Sequence, residues 1–165
     1  MQKLPALLAT SVTLVALLGC GQTTGSSPAR ATPALEPPHV SSKDFGEYVL
    51  HFNSMRTDML QPEVASMYDI SRSGNRVLLI VTIIKKSDDP QGVSVAGEVT
   101  ARVRNLLGQP KIVRIRQIND EGVYYYIADV GITDKELLYF AVAATPAGEN
   151  TDLVVRFSRQ FFAAD

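Results

Sequence analysis

An immunoglobulin-like β-sandwich of about seven antiparallel strands, with one short helix after the first strand, is the all-β fold that the sequence predicts. Three observations carry this expectation. Between residues 44 and 165 the apolar runs are short and separated by turn residues, the clearest of them alternate with period two, and one stretch alone has helical spacing. The composition agrees: 45% hydrophobic and 20% charged residues in a chain of 165 suit one globular domain and exclude a fibrous or disordered chain.

Candidate strands fall at 45–54, 75–85, 93–105, 111–119, 122–131, 136–145 and 152–162. Val95, Gly97, Val99, Ala101 and Val103 share one face of the third strand, while Glu98, Thr100, Arg102 and Arg104 share the other, as a strand with one solvated side requires. Seven of the eight residues from Val77 to Ile84 are apolar, which predicts a central strand buried on both faces. Pro62 and Glu63 mark a helix start, and Leu60, Val64, Met67 and Tyr68 share a helical face, so about two turns are expected there, capping an open end of the sandwich. Gly108 with Pro110, and then Gly122, mark hairpins. Cys20 is the only cysteine, so no internal disulfide can support the fold.

The N-terminal segment reads as an address. Met1-Gln2-Lys3 is a short positive start, and Leu4 to Leu18 is mostly apolar but too short, at about 15 residues, to span a bilayer that needs roughly 20. It ends in Leu17-Leu18-Gly19-Cys20, which resembles a bacterial lipobox. Residues 1–19 are therefore expected to be a lipoprotein signal peptide, cleaved so that a lipidated Cys20 becomes the first residue. One acyl chain holds a protein only marginally, whereas the two or three carried by such a cysteine, palmitate among them, anchor it stably. Gly21 rather than Asp follows Cys20, which favours the periplasmic face of the outer membrane. Residues 20–43 contain Pro28, Pro33, Pro37 and Pro38 among Ser and Thr, the composition of a tether reaching about 25 Å if flexible and about 70 Å if extended. The domain expected after it is 44–165.

Four strings stand out across this domain: His51-Phe52-Asn53, Leu60-Gln61-Pro62-Glu63-Val64-Ala65 with Tyr68, Asn105-Leu106-Leu107-Gly108-Gln109, and Tyr124-Tyr125-Tyr126. Together they resemble the proteobacterial envelope-protein family catalogued as domain of unknown function 4426, over most of residues 44–163. The resemblance implies a β-rich envelope protein and supplies no reaction, cofactor or catalytic residue.

The residues themselves point to binding. The net charge of -1 excludes a general attraction to nucleic acid. No Gly-x-Ser-x-Gly elbow, phosphate loop or metal-ligand spacing occurs, so no catalytic residue, metal or cofactor is expected; Asp88-Asp89 before Pro90 reads as a turn. His51 and Asn53 form a candidate polar site on a half-solvated strand. If the hairpin at Leu107 to Pro110 pairs residues whose numbers sum to 218, Arg102 faces Arg116 and Arg104 faces Arg114, with Glu98 against Asp120 at the far end. Like charges held opposite one another call for compensating acids, Asp129 being one candidate, or for an external anion. These four arginines are the candidate contact for an anionic ligand or partner. Tyr124 and Tyr126 are expected on one strand face and Tyr125 on the other, and Asn105 is expected to form a turn. The expected role is a lipid-anchored, non-catalytic binding or adapter module, its partners a membrane through the N-terminal lipid and an envelope protein or anionic ligand. A periplasmic hydrolase using His51 and a small-ligand carrier are the alternatives.

Overall fold

The computed structural model describes residues 41–164, which form two antiparallel sheets packed face to face. The expected signal peptide, Cys20 and the tether as far as residue 40 lie outside the described residues. The larger sheet has the order β1 (Ser42–Asp44), β2 (Tyr48–Arg56), β3 (Arg76–Lys85), β8 (Val123–Gly131) and β7 (Arg116–Asp120), with β4 (Val93–Ser94) beside the end of β3. The smaller has the order β10 (Leu153–Phe161), β9 (Glu136–Pro146), β5 (Gly97–Asn105) and β6 (Pro110–Lys111). Each of the seven expected strands has its counterpart, in β2, β3, β5, β7, β8, β9 and β10. No helix among the described residues is long and apolar enough to cross a membrane.

Alternation builds the core. Leu50 and Phe52 of β2, Leu79, Val81 and Ile83 of β3, Leu138, Phe140 and Val142 of β9, and Val155 of β10 all point between the sheets and are buried. Phe52 stacks on Phe157 at 4.8 Å between ring centres, and Phe157 stacks on Phe140 at 4.6 Å, so one column of rings runs from β2 across to the smaller sheet. At the other side of the layer, the Tyr126 hydroxyl of β8 accepts the Gly97 N–H at 2.6 Å and donates to the Gly97 carbonyl at 2.9 Å, tying the larger sheet to the start of β5. Gly97 is required there: a Cβ would lie 2.4 Å from the Thr145 carbonyl oxygen and 2.8 Å from Ile83 Cδ1. Burial pushes the Tyr126 phenol up from its ordinary pKa, against the opposing effect of the Gly97 backbone, so it stays a neutral donor.

The structure departs from expectation at several elements. Ser42 and Lys43, expected in the tether, pair with His51 and Leu50, and Gly46, at φ +84°, turns the chain from β1 into β2. Two expected strands are each divided between the sheets: 93–105 leaves β3 after Ser94 to become β5, and 111–119 leaves β5 after Lys111 to become β7. β3 is central, yet on its outer face Leu78 is fully buried while Ile80, Thr82 and Ile84 remain half-exposed. The helix, α1 (Pro62–Met67), forms with Pro62 at its first position. Rather than capping an open end, its segment reaches β7, where Tyr68 donates to Asp120 at 2.7 Å and Arg116 donates to the carbonyls of Tyr68 at 3.0 Å and Asp69 at 3.2 Å.

Tyr126→Phe removes both bonds to Gly97 and leaves a part-buried backbone donor without its tyrosine partner. It should lower stability in urea unfolding by about 1–3 kcal/mol, with the β-rich circular dichroism spectrum unchanged.

Candidate binding surface

The smaller sheet presents its outer face to solvent, and register decides what stands on it. β9 lies at the middle, with Tyr139, Ala141 and Ala143 outward. Arg102 pairs with Ala141 on one side and Arg156 pairs with the same alanine on the other; Arg104 and Ser158 flank Tyr139 in the same way. Two strand spacings place the Arg102 and Arg156 backbones about 10 Å apart, with only a methyl group between them. The result is a shallow, open hollow of about 720 Å³, lined by Arg102, Arg104, Tyr139, Ala141, Arg156 and Lys111 among others. The Arg104 guanidinium lies 6.0 Å from the Tyr139 ring centre, within reach of a cation–π interaction.

Acids are engaged elsewhere. Among the described residues the ion pairs join Arg56 to Asp58, Arg76 to Asp129, Lys86 to Asp44, Lys111 to Glu136 and Lys135 to Asp134. Arg102, Arg104 and Arg156 take part in none of these. The acids on this face stand at its far end, where Glu98 pairs across from Thr145 and Asp152 accepts the Thr145 hydroxyl at 2.6 Å. The face is therefore positive at one end and negative at the other.

The four arginines of the expected ribbon do not come together. Arg104 pairs with Pro110, so the hairpin closes four residues tighter than the anticipated register, and the chain then crosses to the other sheet. Arg116 pairs with Ile127 there and is bonded to the carbonyls after α1, where cationic donors satisfy helix-end oxygens; Arg114 is exposed in the crossover. Glu98 and Asp120 likewise lie on different sheets, and Asp129 serves Arg76. Arg102 and Arg104 stay together and gain Arg156, Tyr139 and Lys111. Alternation in 152–162 places Arg156 on a solvated face, but only the order β10-β9-β5 brings it opposite Arg102.

His51 and Asn53 stand exposed on the outer face of the larger sheet, away from the arginines. His51 lies between Ser42 and Thr82, and the Asn53 side-chain oxygen accepts the Ser54 N–H at 2.8 Å and a longer bond from Arg159 at 3.4 Å. Tyr126 joins the core with Tyr124 against it, and Tyr125 faces outward. Among the described residues no group of three or more His, Cys, Asp or Glu is placed to hold a metal ion.

Lys111 is held at the rim of the hollow by Glu136, 2.6 Å away, with the two side chains 22% and 9% exposed. Burial is the largest single influence on Glu136 and acts to raise its pKa, but the Lys111 ammonium and the Thr133 amide together outweigh it and hold the carboxyl below its ordinary value.

Two antiparallel sheets packed around one shared core define an all-β sandwich protein. Residues 42–164 match the family described as Domain of unknown function (DUF4426), and the chain belongs to that family. A crystal structure of a DUF4426 family protein from Pseudomonas aeruginosa PAO1 is similar, at 25% identity and a TM-score of 0.64, covering 75% of this chain and 95% of that one. FetP of uropathogenic Escherichia coli strain F11, recombinantly expressed in the periplasm, shares the fold at 11% identity and a TM-score of 0.52, over 75% of this chain and 94% of its own. No curated protein matches the chain.

A lowered folded-state pKa means that the ionised Glu136 stabilises the fold above the unfolded value, near 4.3, and that this contribution disappears as pH falls through the folded value. Glu136→Gln, which strands Lys111, should cost about 3 kcal/mol in urea unfolding at pH 7, and the gap from wild type should narrow at pH 3.

Proposed function

We propose that this protein is a lipid-anchored module of the bacterial envelope, held through Cys20 at the periplasmic face of the outer membrane, that acts by binding an acidic partner protein on the outer face of its smaller sheet. The observation that carries the binding assignment is the row Arg102–Ala141–Arg156 with Arg104 on Tyr139 beside it, cations unpaired by any described acid over a floor of small residues. Guanidinium groups in that setting favour planar carboxylates, which they grip with two parallel hydrogen bonds. The lipobox-like sequence and Pro-rich tether support the anchor, and the periplasmic expression of the similarly folded FetP is consistent with an envelope location.

The reading predicts that cross-linking in intact cells captures one specific protein through wild type, and that Arg102→Glu with Arg156→Glu abolishes the capture while leaving the unfolding transition in place. Cys20→Ser should lose it by leaving the membrane. Retention of the same captured protein by the charge-reversed variant would defeat the binding assignment. Its retention by Cys20→Ser, with the protein still membrane-bound, would defeat the anchor.

A further inference from the structure

The hairpin between β5 and β6 carries two leucines where a solvated turn needs none. Leu106 is 68% exposed and Leu107 81%. They are not held loosely. The Asn105 side-chain oxygen accepts the Leu107 N–H at 3.1 Å and the Gln109 N–H at 2.9 Å, and its amide donates to Gln109 Oε1 at 2.7 Å. Main-chain bonds from Gly108 to Asn105 and from Asn105 to Gln109, both 3.0 Å, close the loop, and Gly108 takes the left-handed φ of +79° that the turn demands. Asn105 thus forms the expected turn, and the turn it forms is a fixed support that points apolar side chains into solvent, an arrangement already ordered for a contact.

More apolar surface lies at the same end. β5 and β10 both run antiparallel to β9, so their C-terminal ends coincide, and Arg56 at the end of β2 donates to the Phe162 carbonyl at 2.7 Å. Phe162 is 52% exposed, and Met59, three residues past Arg56, is 68% exposed. β1 is antiparallel to β2, and the Ser41 carbonyl accepts the Phe52 N–H at 2.8 Å, so the described chain begins opposite the middle of β2 and runs from there toward Tyr48.

We propose that this end, led by Leu106 and Leu107, is a lipid-contact surface that seats in the headgroup–acyl boundary of the membrane to which Cys20 is anchored. The proposal rests on the anchoring part of the reading above and is independent of the arginine face. A tether of about twenty residues keeps the domain at an effective concentration in the millimolar range near the bilayer, so two leucines whose free-solution affinity for lipid is weak are enough to hold it down.

The chain contains no tryptophan and one cysteine, which makes the test direct. Leu107→Trp is introduced into the chain from Cys20 onward, and the Cys20 thiol is coupled to a maleimide lipid in phosphatidylethanolamine–phosphatidylglycerol vesicles, so the experiment reads the contact whether or not cells lipidate Cys20. Expected are a blue-shifted emission and quenching by acyl-brominated lipid on coupling, both lost when Leu106→Asp is added. Gln91→Trp, in the loop after β3 at the opposite end, should keep a solvent-like spectrum throughout. An emission from Leu107→Trp that neither shifts nor is quenched on the vesicles overturns the proposal. So does a shift that appears without vesicles and grows with protein concentration, which would assign the leucines to contact between copies of the chain. Intact mass of the protein extracted from cells reports separately on the anchor: absence of lipid on Cys20 would defeat the anchoring reading while leaving the vesicle result to stand or fall by itself.

Discussion

Everything on the outside of this domain depends on how the two sheets are fixed against one another on the inside. No covalent bond does it, because the only cysteine lies at residue 20. The layer is instead pinned at two places: by Tyr126 gripping both backbone groups of Gly97, and by the rings of Phe52, Phe157 and Phe140 in one stack. The first is directional and sets where β5 begins. The second is bulky and sets how closely β10 and β9 approach β2. Because side chains alternate strictly along a strand, fixing Val103, Phe140 and Val155 inward leaves Arg102, Tyr139 and Arg156 outward. A slip of one residue in any of these strands would drive a guanidinium into an apolar layer, at a cost far above the stability of a domain this size.

The two outer faces have different fates for a related reason. Leu78, Ile127 and Ala65 are buried outside the main core, on the side where the α1 segment is tied to β7 by Tyr68 and Arg116. Arg76 and Asp129 neutralise each other on the same sheet. Among the described residues the smaller sheet has no such cover, and its cations stand over alanine. Ala141 matters as much as the arginines beside it: a large side chain there would fill the hollow between Arg102 and Arg156, whereas a methyl group leaves both guanidiniums free to converge on one acidic group.

Most of the fold was legible because it rests on local pattern. Alternation located the seven main strands, Pro62 marked the helix start, and the parity of Tyr124, Tyr125 and Tyr126 was read correctly from three consecutive letters. The arginine site was only half legible. Arg102 and Arg104 are legible because they share a strand, but Arg114 and Arg116 face them only if the hairpin at Gly108 continues as one ribbon. It does not, since β6 ends after two residues and the chain changes sheets before β7. A trace of this is present in the sequence: Val113 and Ile115 pack against the core, and then Ile118 takes over the half-buried position, a change of parity within one expected strand. Arg156 carried no comparable trace, because lateral strand order is a property of the whole chain and is written in no single segment.

The hairpin at which the chain leaves the ribbon is also the element whose chemistry is least explained by folding. A two-sheet domain can close β5 to β6 with any small polar turn, and Asn105, Gly108 and Gln109 supply a well-bonded one. Leucine at the two remaining positions adds nothing to that bonding and exposes apolar surface to water. Arg104 sits on the outer sheet face one residue before this turn, so the cationic end of the face and the apolar tip lie next to each other. The lipid contact proposed for this tip would give the domain an orientation. With the tip toward the membrane the sheet face stands upright beside it, its arginines nearest the lipid and Glu98 and Asp152 farthest away, so that an acidic partner would meet the cationic end close to the bilayer and be repelled at the distal one.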